Sequence, residues 1–175
     1  MPRKKHTKEL ARWICELEYE NIPDRVIEEC KNQMLSVLGA LYAGSRTASG
    51  RALLRTVRGL AGDGPCTLLP DGGGVSLCDA VTAHAGLSMA LDYDDYMVSA
   101  HAGHSAVIVP LAMAQALDAD GRDLLLAQAV ANEVEARLGT SVLLGPLNGQ
   151  MWSFVHAAGA AAAAGRLLRL DPDQM

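Results

Sequence analysis

Val107-Ile108-Val109-Pro110-Leu111-Ala112-Met113-Ala114, continuing through Gln115-Ala116-Leu117, is apolar on nearly every side once wound into a helix. A helix with no polar face has to be buried all round, among other helices. Pro110 falls in its first turn, where a missing N–H breaks no hydrogen bond, and Ala119-Asp120-Gly121 closes it. The rest of the chain has the composition to surround it. Half of the 175 residues are hydrophobic but only 4% are aromatic, so the core is built from Leu, Ala, Val, Ile and Met. That suits close-packed helices better than a β-sandwich, which draws on aromatic and β-branched side chains.

Upstream, Leu77–Leu91 reads as a helix, with His84 expected to be packed or exposed rather than a ligand. Before it, Gly62–Gly74 is the one non-helical interval. Thr67-Leu68-Leu69, a turn at Asp71-Gly72, and Val75-Ser76-Leu77 predict a short β-hairpin. The glycine run lacks the strand and helix setting of a phosphate cradle and reads as a turn. After Gly50, a helix directs Leu53, Val57 and Leu60 inward and leaves Arg51, Arg55 and Arg58 as a solvated face. Asn21-Ile22-Pro23 separates two earlier helices. Thr7 caps the first, whose apolar stripe is Leu10, Trp13, Ile14 and Leu17. The second has Pro23 in its first turn, shows Val26, Ile27, Cys30, Met34, Val37, Leu38 and Leu41 on one side, and has Gly39 and Gly44 for close approach and a stop. Residues 1–6 read as a basic tail.

Downstream, a helix over Asp123–Leu138 carries Gln128, Asn132 and Glu135 on one polar face, pairs Glu133 with Arg137, and ends at Gly139. A loop around Gly145–Gly149 leads to a last helix through Ala157–Ala164, whose small side chains let another helix backbone come close. Asp171-Pro172 stops it, and residues 172–175 form a tail. The expectation is an all-α domain over 7–171, with about six to eight helices and one hairpin-like excursion.

The net charge of −5 argues against general nucleic-acid binding, which needs a surplus of Lys and Arg. Arg3, Lys4, Lys5 and Lys8 precede no apolar targeting segment, and no apolar run has membrane-spanning length. Cys15, Cys30, Cys66 and Cys78 lack paired spacing and read as reduced core thiols, which places the protein in the cytoplasm.

Chemistry concentrates between Ala90 and Pro110. Asp92, Asp94, Asp95, His101 and His104 fall in a polar, glycine-containing loop over Asp92–Ser105. Asp92 and Asp95 are three apart, close enough that repulsion between ionised carboxylates can make one an acid or a base. His101 and His104 have the same spacing and can face one cavity. Carboxylates beside imidazoles suit proton abstraction next to a carbonyl, or protonation of a leaving hydroxyl. His-x-x-His beside aspartates is also a spacing that Zn or Fe can use, but it is a weak ligand pattern and no metal is assigned. Helix-end capping by the same residues is the structural alternative. No nucleophile elbow is present.

Ala-Leu-Asp-Tyr-Asp-Asp (90–95), the histidine loop, Ser-Ala-Val-Ile-Val-Pro (105–110), Asp-Gly-Arg-Asp-Leu-Leu (120–125), Asn132–Gly139 and the alanine-rich helix ending Gly-Arg-Leu-Leu resemble the MmgE/PrpD family. In order and spacing, the resemblance extends from about residue 9 to 171. It implies the N-terminal helical domain of a cofactor-independent lyase or isomerase acting on small carboxylic acids. It places Asp92, Asp94, Asp95 and His104, or His101 with a small shift, along an active site. It also implies a second histidine ahead of the alanine-rich helix, where this chain has Gln150. His156 is six residues further on and is expected to face differently. Family members continue into a further domain that supplies a lysine.

Three readings follow. The chain is one subunit of a split lyase with a second MmgE/PrpD-like chain, a small self-sufficient enzyme completed by homodimerisation, or a non-catalytic binding domain. For proton transfer, Asp92 first and then Asp95, or His104, serves as base, with another member of the set as acid. Gln150, Asn148 and Arg137 orient a substrate carboxylate.

Overall fold

In a computed structural model of the protein, which describes residues 6–93, 95–97, 101–143 and 152–175, the apolar run is helix α6 (Ile108–Leu117). It follows α1 (His6–Glu16), a 3-10 turn (Tyr19–Asn21), α2 (Asp24–Gly44), α3 (Ala48–Leu60), β1 (Cys66–Leu68), β2 (Gly73–Val75), α4 (Leu77–Met89) and the single turn α5 (Gly103–Ala106). Helices α7 (Gly121–Leu143) and α8 (Trp152–Leu167) complete the order. The described residues form an all-α domain with one antiparallel hairpin, as the sequence predicts. None of the described helices is long and apolar enough to cross a membrane.

The position of α6 follows from its lack of a polar face: it packs against α4, α5, α7, α8 and β1. Its Ile108 and Ala112 join Val37 and Leu41 of α2, Leu54 and Val57 of α3, and Leu87 of α4 in one core cluster. Burying Leu41 and Leu87 completely contributes roughly 2–3 kcal/mol each. A second cluster joins Ile14 of α1 and Ile27 and Cys30 of α2 to Leu126, Val130 and Val134 of α7, with Met175 folded against it. A third is purely alanine, Ala102, Ala106, Ala127, Ala131 and Ala163, and brings α5, α7 and α8 together. Helix α2 spans the first two clusters and so sets where α7 lies relative to α4.

Glycine works at one of the two places expected on α2. A Cβ at Gly44 would strike the Leu87 carbonyl, whereas at Gly39 nothing lies within 4 Å. The close approach is therefore at Gly44 alone. Gly44→Ala is expected to cost about 1–3 kcal/mol by overpacking. Gly39→Ala, in an exposed helix interior, should gain about 0.5–1 kcal/mol by restricting the unfolded chain. Urea midpoints of the two variants should move in opposite directions.

Three boundaries differ from expectation. Gly50 packs directly on the Gly44 backbone, which rotates the buried stripe of α3 to Gly50, Leu54 and Val57 and leaves Leu60 81% exposed. Helix α7 runs through Gly139 to Leu143, because that glycine is buried and packing overrides its weak helix preference. The loop before α6 ends in the helical turn α5 rather than continuing to Ser105.

The hairpin pairs Cys66 with Val75, Thr67 with Gly74 and Leu68 with Gly73. So short a hairpin needs outside support. Cys66 Sγ donates to Ala112 O, Gln115 Oε1 accepts from Thr67 N–H at 3.0 Å, and His84 Nε2 accepts from Leu69 N–H at 2.9 Å. The bond to Leu69 leaves the proton of the buried His84 ring on Nδ1, and burial pushes its pKa below the ordinary value. The unfolded chain therefore takes up this proton first. Stability should be fully present above about pH 6.5 and fall as pH drops below it. His84→Gln, which retains an acceptor, should flatten that part of the stability–pH curve; an unchanged slope would remove His84 as its cause.

Candidate active site

Gln128, Asn132 and Glu135 recur at helical spacing on α7, a helix that otherwise buries Ala127, Val130, Ala131 and Val134. Their polar stripe faces the domain interior: Gln128 and Glu135 are fully buried. Buried polar groups are costly unless paired, and each of the three finds partners on another element.

Gln33 of α2 is the hub for the first two. Its Oε1 accepts from Gln128 Nε2 at 2.8 Å and Asn132 Nδ2 at 2.7 Å, while its Nε2 donates to Asn132 Oδ1 at 3.1 Å. The same Nε2 donates to Asp95 Oδ2 at 2.6 Å, and Gly103 N–H donates to Asp95 Oδ1 at 2.9 Å. Asp95 is thus gripped between α2 and the start of α5. A Cβ at Gly103 would collide with its carboxylate and with Val37, so only glycine allows that approach.

Glu135 forms the second group, one turn along α7. Ser105 Oγ–H donates to its Oε1 at 2.8 Å, with Ala102 O at 3.0 Å as the alternative acceptor. His156 Nδ1 of α8 lies 3.1 Å from Glu135 Oε2 and 2.9 Å from Ser105 Oγ. On the far side of that ring, His156 Nε2 meets His104 Nε2 at 3.2 Å, the rings tilted with centroids 4.4 Å apart. Burial raises the Glu135 pKa, an effect opposed by the hydrogen bonds from His156 and Ser105.

Room for this carboxylate comes from the small-residue helix. A Cβ on Gly159 would fall on Glu135 Cγ and Oε1. Gly159→Ala is therefore expected to cost about 1–3 kcal/mol and to disturb the His156 ring, both readable by thermal melting and histidine NMR.

An open groove of about 650 Å³ runs beside the first group, lined by Arg25, Asn32, Gln33, Ser36, Asp95 and Asn132 among others. Asp95 links the groove to the imidazole pair, since the residue after its anchor Gly103 is His104. Cys30 also lines the groove, but burial pushes its thiol up to about 11, so it is inert near neutrality.

The residues singled out by sequence therefore separate. Asp95 is held by the backbone of Gly103, the residue before His104. Asp92 is exposed with a left-handed φ of 52°. His101 stacks at a tilt on Tyr96, 4.5 Å between centroids, and Arg137 pairs with Glu133 on the exposed side of α7. Asp94, Asn148 and Gln150 lie outside the described residues. Sequence reasoning passed over Gln33, Ser105 and His156, and set Glu135 down only as part of a polar face. His156 lies against His104. Three polar residues at helical spacing within an apolar helix were the available signal. Among the described residues, no three His, Cys, Asp or Glu side chains are placed to hold a metal ion.

Residues 8–175 match the MmgE/PrpD N-terminal domain. A cis-aconitate decarboxylase of Aspergillus terreus is 26% identical over 179 residues, covering 97% of this chain and 36% of that protein. The cis-aconitate decarboxylase-like protein oryM of Aspergillus oryzae is 25% identical over 184 residues, covering 98% of this chain and 38% of that protein. The chain thus spans little more than a third of the length of these relatives.

Proposed function

Since the chain belongs to the MmgE/PrpD family, we propose that it carries the helical wall of a lyase or isomerase site that moves a proton on a small carboxylate substrate. The observation that supports this is Asp95: a carboxylate held at both oxygens on the wall of an open groove, with its anchor Gly103 adjacent in sequence to His104 of an imidazole pair. Two hydrogen bonds fix its orientation. His104, in the imidazole pair, is the alternative base. Arg25, Asn32 and Ser36 line the same groove and offer donors to a substrate carboxylate. The names of the relatives support the substrate class, an unsaturated polycarboxylate.

The groove is walled on one side by this domain, and Tyr93 and Tyr96 stand 72% and 74% exposed nearby. A further protein surface closes it, whether a second copy, a related chain or another segment. Proton transfer at carbon is tested by incubating the protein with a panel of small di- and tricarboxylates in deuterium oxide. The protein is assayed alone and together with an MmgE/PrpD-like partner chain. Deuterium should enter the substrate, and Asp95→Asn should slow that entry by about a hundredfold or more. Asp92→Asn in the same assay decides between the two aspartates. If no carboxylate exchanges and none shifts the groove resonances, the reading fails.

A further inference from the structure

Behind Asp95, two histidines meet through their Nε2 atoms at 3.2 Å, a contact that needs one proton between them, with one ring donating and the other accepting. The opposite edge of His156 decides which. There Nδ1 faces Glu135 Oε2 and Ser105 Oγ, and the hydroxyl proton of Ser105 is directed to Glu135 Oε1 or Ala102 O. With Glu135 ionised, both neighbours of Nδ1 are acceptors, and Nδ1 then carries a proton. In the neutral ring Nε2 is then the acceptor, and His104 Nε2 is the donor.

We propose that Glu135, His156 and His104 form a buried relay in which the two histidines hold one shared proton and act as a single base, with Glu135 as positioning residue and counter-charge. What the relay serves rests on the reading of the groove as a proton-transfer site; its geometry does not. When the pair takes up a proton that a carbon acid has released, the C–H electron pair stays on the substrate. The imidazole pair gains one positive charge, spread toward ionised Glu135 across the Nε2···Nε2 contact. The reverse step returns the same proton, and no other group changes protonation.

Described groups border this charge on several sides. Asp95 approaches from the segment before α5 and opposes ionisation of Glu135. Helix α2 presents the neutral amide of Gln33, and His101 is turned to Tyr96. The buried faces of α4 and α6 are uncharged apart from His84, which Leu69 N–H engages.

The test is histidine-selective ¹⁵N NMR on the whole protein across the pH range. The wild type should show His156 protonated at Nδ1 throughout, and the two histidines should titrate interdependently. Glu135→Gln should lower the first proton uptake of the pair by about one pH unit relative to wild type, tenfold in proton affinity. His156→Gln should collapse the coupled curve of His104 to a single step. Should Glu135→Gln fail to fold, His156→Gln, at a ring 16% exposed, carries the test alone. Two independent titrations that ignore both substitutions, or an Nε2–H tautomer on His156, would overturn the relay. A coupled titration in a protein that exchanges no carboxylate proton keeps the relay and removes the lyase reading. Exchange with independent histidines does the reverse.

Discussion

His104→Ala retains the helical circular dichroism of the wild type and loses a factor of about 10²–10⁴ in substrate proton exchange. The fold is insensitive because the His104 ring sits at the edge of the core: the buried members of its turn are Gly103, Ser105 and Ala106. The loss in rate follows from position, since no other imidazole among the described residues adjoins both His156 and the anchor of Asp95. Free imidazole added to the variant should restore part of the rate, because the space left by the ring opens beside His156. Exchange at the wild-type rate in His104→Ala would take the histidine out of the mechanism and leave Asp95 as the only supported base.

Glu135→Ala has the larger effect on folding. The side chain is wholly buried, and its two oxygens take hydrogen bonds from Ser105 and His156. Removing one partner of a buried, hydrogen-bonded pair typically costs about 3–5 kcal/mol, a large share of the stability of a domain this size. The expected result is a melting temperature many degrees lower, with His156 and Ser105 left facing a void. Glu135→Gln keeps the volume and one acceptor, and so should lie between. Equal melting temperatures for wild type and Glu135→Ala would show that the carboxylate contributes nothing net to the fold.

The helices were legible because their message is local. An apolar run such as Val107–Leu117 or a stripe such as Ile27, Cys30, Val37 and Leu41 repeats at the period of the helix itself, and the family resemblance followed from blocks read in order. The errors came where a neighbour decides. Leu53 and Leu54 are equally apolar; Leu54 is buried and Leu53 packs partly buried against Gly86, while Leu60 is left exposed. The site was half legible for the same reason. Asp95 and His104 lie nine apart in the loop that stood out, but Gln33 grips Asp95 across 62 residues and Glu135 reaches Ser105 across 30. No periodicity records such contacts. The histidine six residues past Gln150 was judged by its offset from an expected position, when its partners were on α5 and α7.

The collision that a side chain at 159 would have with Glu135 makes the two positions a lock. A larger residue at 159 crowds the carboxylate at 135, so the two positions constrain each other. Gly159→Ala should cost less once the glutamate has gone. The double variant should therefore be more stable than the sum of its two single losses requires. Helix α8 records in one hydrogen atom what α7 was free to become.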